Sequence, residues 1–157
     1  MKLVLVRHAK SLHDEYVGAD IERHLCQRGY ADAEVSSEWC LSRRILPDLM
    51  VSSPAIRAYS TAMIMARRFS YLPAQIRLEQ AIYNAGTGNL LQVLRSLPEK
   101  SSCVFLFGHN PGLTDLANHL CGPVCAHLPT SGIAVIQLHA DRLSGTLLDL
   151  FSGHKPF

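Results

Sequence analysis

No stretch of this chain is apolar for long enough to cross a bilayer, so no transmembrane anchor is expected. The first residues carry one lysine and four aliphatics before charge resumes. They supply neither the apolar core nor the small-residue cleavage site of a secretory signal. Charge of one sign is also scarce. Fifteen Lys and Arg against thirteen Asp and Glu leave a net charge of +2, too little to argue for nucleic acid or a membrane surface as partner. The densest basic runs, Arg43-Arg44 and Arg67-Arg68, read as solvated helix faces. The five cysteines, Cys26, Cys40, Cys103, Cys121 and Cys125, are odd in number and irregularly spaced. They form no disulfide framework and point to a reducing, cytoplasmic setting. Cys121 and Cys125 lie near His119 and His127, which leaves a metal site open, although buried thiols at a turn are the plainer reading. There is no internal repeat, low-complexity tract or linker. At 157 residues, a single domain spanning 1–157 is expected.

Apolar residues make up 48% of the chain, enough for one hydrophobic core. Leu3–Val6, Leu49–Ser52, Cys103–Phe107 and Ile133–Leu138 read as strands, with Thr146–Phe151 as a fifth. Helical spacing appears over Arg28–Leu41, Ala55–Phe69, Gly88–Leu97 and Pro111–Leu120, with Pro54 and Pro98 as punctuation. The charged stretch His13–Arg28 reads as a loop with irregular helix. Strands alternating with helices predict an α/β fold of three layers, α/β/α, around a mostly parallel sheet.

Three strand ends carry residues that packing does not require. The first strand stops on Arg7-His8. The second turns through Ser52-Ser53-Pro54 into a helix whose first turn holds Arg57. The third ends in Gly108-His109-Asn110-Pro111-Gly112. In a parallel sheet these turns share the carboxyl edge, where α/β folds place their ligands. Two guanidinium forks can neutralise a phosphoryl group and fix its oxygens. Helix N-termini beside them add positive dipole ends. One neutral histidine can attack phosphorus if its other nitrogen is held. A second can stabilise charge in the transition state. With positive charge built into the protein, such a site does not call for a divalent metal or another cofactor.

At these residues the chain resembles the histidine phosphatase superfamily, also called phosphoglycerate-mutase-like. Arg7-His8-Ala9 corresponds to its Arg-His-Gly signature. Ser53-Pro54-Ala55-Ile56-Arg57-Ala58-Tyr59-Ser60-Thr61-Ala62 and Gly108-His109 correspond to two later motifs. Within the superfamily it is most similar to the short SixA-type phosphohistidine phosphatases. It shares with them the Arg-His-Ala-Lys opening and a segment running from Asp20 through Arg23 and Leu25 to Gly29. Ala9 stands in place of the glycine of longer members, and His24 where proline is usual. The resemblance implies a fold without large cap insertions. It also implies His8 as phospho-accepting nucleophile, with Arg7, Arg57 and His109 completing the phosphate pocket. Arg23 would be a further phosphate contact, and Glu79 the candidate general acid.

The substrate so implied is a phosphohistidine on a signalling or phosphotransfer protein. A phosphoramidate nitrogen leaves readily, whereas an alkoxide needs a proton as it departs. A small phosphorylated metabolite is the alternative substrate. A phosphate-binding module without turnover is the alternative outside enzymes.

Overall fold

Burial along the first strand alternates between two destinations, and that alternation explains the layering. The structure, a computed structural model, describes residues 1–13 and 16–153. Strand β1, Lys2–Arg7, sends Leu3 and Leu5 to one face of the sheet and Val4 and Val6 to the other. On the first face lie α3, Thr87–Ser96, and α4, Gly112–Cys121, which contribute Leu90, Leu94, Leu113 and Leu116. On the second lie α1, Gln27–Ser42, and α2, Ile56–Arg68, which contribute Cys40, Ala62 and Met65. Each fully buried leucine or valine stabilises the fold by roughly 1.5–3 kcal/mol.

The remaining strands are β2, Leu49–Ser52; β3, Arg77–Leu78; β4, Cys103–Gly108; β5, Ile133–Leu138; and β6, Gly145–Phe151. Their order across the sheet is β3-β2-β4-β1-β5-β6. The pairs β1–β4, β4–β2 and β2–β3 are parallel. The pairs β1–β5 and β5–β6 are antiparallel. The mostly parallel α/β/α sandwich read from the sequence is therefore present, with β5 as the reversed strand. Its reversal has a plain cause. After α4, residues 122–132 form no helix and return the chain to the carboxyl edge, so β5 starts there. Along the way they bring His127, Leu128 and Thr130 to that edge.

The expected helices and strands agree with the observed ones to within a residue or two at most ends. The sequence reading omits β3, two exposed residues with no apolar run to announce them. The charged stretch after β1 contains a 3₁₀ turn, Asp20–Glu22, and a bridge between Ser11 and Leu25; Asp14 and Glu15 within it lie outside the described residues. Gly29 of α1 is set by close approach: a Cβ there would stand 2.0 Å from the Lys10 carbonyl oxygen. Only a hydrogen lets α1 pass so near the loop that follows β1. All five cysteines are free thiols. No helix among the described residues is long and apolar enough to cross a membrane.

Candidate active site

The carboxyl ends of β1, β2 and β4 meet as the sequence suggested. They border a cavity of about 440 Å³ lined by, among others, Arg7, His8, Arg23, Arg57 and His109. His8 follows β1 directly, and its backbone is pinned on both sides. Its N–H donates to the Gly108 carbonyl at 3.1 Å, and its own carbonyl accepts from Ser131 at 3.2 Å. The next amide, Ala9, donates to Thr61 Oγ1 at 2.9 Å, and the same hydroxyl donates to the Arg57 carbonyl at 2.7 Å. One threonine thus ties the strand bearing His8 to the helix bearing Arg57.

His8 is buried, with 7% of its surface exposed. Its Nδ1–H donates to the Ala9 carbonyl at 2.7 Å, which leaves Nε2 with its lone pair. Burial pushes its pKa down to about 3 against the Ala9 hydrogen bond; His109, Arg57 and Arg7 push it further in the same direction. At neutral pH His8 is therefore an uncharged imidazole whose Nε2 could act as a nitrogen nucleophile. The rings of His8 and His109 stand 5.3 Å apart. His109, pushed down to about 4 by burial and then by Arg57, pairs through Nε2 with Ser53 Oγ at 2.7 Å. Ser53 Oγ also accepts from the Ala55 amide at 3.2 Å, so its own proton is available to Nε2. In that arrangement Nδ1–H of His109 is a donor.

That Nδ1 is buried without a partner, and so are Nε of Arg7 and Nε of Arg57. Orphaned buried donors require an explanation. Three of them on three residues bordering one cavity suit an oxyanion, whose oxygens accept from all. Nη1 of Arg7 and both terminal nitrogens of Arg57 are already held. Arg7 Nη1 donates to His127 Nε2 and to the Leu128 carbonyl, both at 3.1 Å. Arg57 donates to the Asp20 carbonyl from Nη1 at 2.8 Å and to Asp20 Oδ2 from Nη2 at 3.0 Å.

The connection carrying Leu128 is held in turn by α4 and its approach. Asn110 Nδ2 donates to the Leu128 carbonyl at 2.7 Å, and the Leu128 amide donates to Thr114 Oγ1 at 3.0 Å. Asn118 closes the far part of the loop by accepting from the Val124 and Cys125 amides and donating to the Cys125 carbonyl. His127 is thus engaged with Arg7. Among the described residues no group of three or more His, Cys, Asp or Glu is placed to hold a metal ion.

Arg23 lines the cavity, with its guanidinium divided between Asp20 Oδ1, Ser11 Oγ and the Leu12 carbonyl. Glu79 does not line it. Its carboxylate accepts from the Ala81 amide at 3.5 Å and caps the short 3₁₀ turn Gln80–Ile82. Glu79, expected beside a leaving group, follows the edge strand β3 and is turned here to the backbone of the next turn. Sequence reasoning missed Ser53, Thr61, His127 and Asp20. Ser53 and Thr61 lie inside a motif already noted, and their hydroxyls at strand end and helix turn were the available signal.

A sheet edge built this way, with paired guanidinium groups around an uncharged imidazole, defines a phosphatase. The sequence profile of the histidine phosphatase superfamily (branch 1) matches residues 3–89, and the chain belongs to that superfamily, in its SixA-type group. The structure of SixA from Agrobacterium tumefaciens is 29% identical, superposes with a TM-score of 0.84, and is covered over 96% of both chains. The protein histidine phosphatase SixA complexed with tungstate is 21% identical, with a TM-score of 0.86 and coverage of 98% of this chain and 97% of that one. An uncharacterized protein of Mycobacterium tuberculosis is 26% identical over 143 residues, spanning 85% of this chain and 87% of its own length.

The two depressed histidines carry a consequence for stability. Both have folded-state pKa values below the ordinary 6.5. As pH falls through about 6.5, the unfolded chain takes up protons that the folded site refuses, so stability is full above that pH and declines toward pH 4. Urea unfolding between pH 7.5 and 4 should show this loss, and a His8→Ala, His109→Ala double variant should show a shallower one.

Proposed function

We infer that the chain is a protein phosphohistidine phosphatase, acting in the cytoplasm on a signalling or phosphotransfer protein. In the first step His8 Nε2 attacks phosphorus. The bond from phosphorus to the substrate imidazole breaks, and that nitrogen keeps the electron pair and takes a proton from solvent. In the second step water attacks the phosphorus on His8, the P–Nε2 bond breaks, and orthophosphate leaves with His8 restored. Arg7, Arg57 and His109 hold the phosphoryl oxygens in both steps, with Arg23 beside them.

The observation that carries this reading is the state of the carboxylates. Asp32 is the one carboxylate among the described residues lining the cavity, and it faces Arg28 at 3.5 Å. Asp20 is held well below the ordinary carboxylate range by the Tyr83 hydroxyl, then by Arg23 and Arg57, so it carries no proton to give at neutral pH. Glu79 is turned to the Ala81 amide. A site whose carboxylates are all engaged elsewhere suits a nitrogen leaving group and handicaps an alkoxide, because general acid catalysis is worth about 10²- to 10⁴-fold.

Phosphate release measured side by side on a phosphohistidine protein, a phosphoserine peptide and a sugar phosphate tests this. The phosphohistidine protein should be favoured in kcat/KM by at least about 100-fold. A preference for the sugar phosphate would install the metabolite reading instead, and absence of turnover on all three would leave a phosphate-binding module. Glu79→Gln should change each rate by less than about threefold, since the carboxylate is outside the cavity; a selective loss on the phosphomonoesters would restore it as acid.

A further inference from the structure

We propose that Asp20 is a positioning residue that aims Arg57 and Arg23 at the phosphoryl group. This rests on the phosphatase reading above. The 3₁₀ turn Asp20–Glu22 is a surface element, and the Asp20 side chain is half exposed. Its contacts are nonetheless directed inward. One carboxylate oxygen, Oδ2, accepts from Arg57 Nη2 at 3.0 Å and from the Tyr83 hydroxyl at 2.7 Å. The other, Oδ1, accepts from Arg23 Nη2 at 3.0 Å and from its Nε at 3.3 Å. The backbone carbonyl takes Arg57 Nη1 at 2.8 Å. A single residue therefore grips both guanidinium groups.

The consequence for Arg57 is specific. Its side chain is only 6% exposed, and Asp20 is its one ion-pair partner among the described residues. With Nη1 and Nη2 both turned to Asp20, the plane of the guanidinium is fixed. Nε remains as the buried, unpartnered nitrogen. Two anchors and one free edge amount to an oriented donor. Tyr83 joins the same assembly: its hydroxyl holds Asp20, while its ring meets His109 edge-on at 5.7 Å between centroids. His109, just after β4, and Arg57 of α2 are thereby linked through Tyr83 and Asp20, residues of neither element. Asp20 is a permanent acceptor in this role, because its partners keep it ionised. It touches no reacting atom in the mechanism above and acts through the arginines.

A double-mutant cycle with Arg57 separates positioning from ordinary stabilisation. The full chain is made as wild type, D20A, D20N, R57K and D20A with R57K. Each is measured for kcat and KM and for tungstate binding by calorimetry, with a thermal melt to confirm folding. D20A should lose about 10- to 100-fold in kcat/KM, a cost typical of a misplaced catalytic group, and should bind tungstate more weakly. D20N keeps an acceptor oxygen and should fall between D20A and wild type; it carries the comparison if D20A does not fold. In the R57K background, where the two-point grip on a fork is already gone, removing Asp20 should change the rate by less than about threefold. Equal losses in both backgrounds, or wild-type tungstate affinity in D20A, would overturn the proposal. Wild-type protein that neither turns over phosphohistidine nor binds tungstate would instead overturn the phosphatase reading beneath it.

Discussion

In the His8→Ala variant, phosphate release falls by roughly 10³-fold or more on every substrate, with the fold retained. The size follows from what is lost. The two-step route passes through a P–Nε2 bond, and the methyl group of alanine offers no nucleophile in its place. Water brought to the same phosphorus would still meet Arg7, Arg57 and His109, so a residue of transition-state stabilisation survives. The fold tolerates the change because the imidazole is not a support. Among the described residues the side chain makes one hydrogen bond, to the Ala9 carbonyl next to it, while the tethers to Gly108, Ser131 and Thr61 run through the backbone. Rapid quench of wild type with radiolabelled phosphohistidine protein should trap label on the enzyme in acid-labile form, and His8→Ala should trap none. Label retained by the variant, or turnover within tenfold of wild type, would end the mechanism.

Arg57→Ala is expected to cost about 10²- to 10³-fold in kcat/KM, the second largest loss. Removing the guanidinium withdraws a nearly buried charge from the oxyanion site and deprives Asp20 of its carbonyl and carboxylate partners there. Arg57→Lys restores the charge but not the planar fork, because an ammonium cannot occupy Asp20 twice and still offer an oriented N–H. It should therefore recover only a minor part of the rate. Steady-state kinetics with tungstate as competitor reads the effect directly, since the inhibition constant should weaken alongside the rate. An Arg57→Lys enzyme indistinguishable from wild type would show that charge alone suffices.

The parts legible in the sequence were those governed by local pattern. Leu3–Val6 announces a strand because both of its faces are buried, and Ala58, Ala62 and Met65 announce a helix because one stripe is. Arg7-His8, Arg57 and His109 stood out because charge and imidazole directly after apolar strands have no use in packing. Long-range geometry was less accessible. Nothing local to Ile133–Leu138 says that β5 runs backwards; the connection at 122–132 decides it. His127 looked like a partner for cysteines until the loop placed it on Arg7. Glu79 looked like an acid because only its position along the chain was visible, and the cap on Ala81 belongs to three dimensions. Asp20 was seen as part of a motif, but its partners Arg57 and Tyr83 lie 37 and 63 residues away.

The connection at 122–132 also governs how the pocket responds to heat. Asn118 and Thr114 of α4, with Asn110 before it, fasten this stretch along much of its length, and the stretch in turn holds Arg7. A pocket wall sewn to a core helix does not melt by itself. Warming should therefore extinguish phosphate release and helical signal at one temperature, with no interval in which a folded chain has already lost its grip on phosphate.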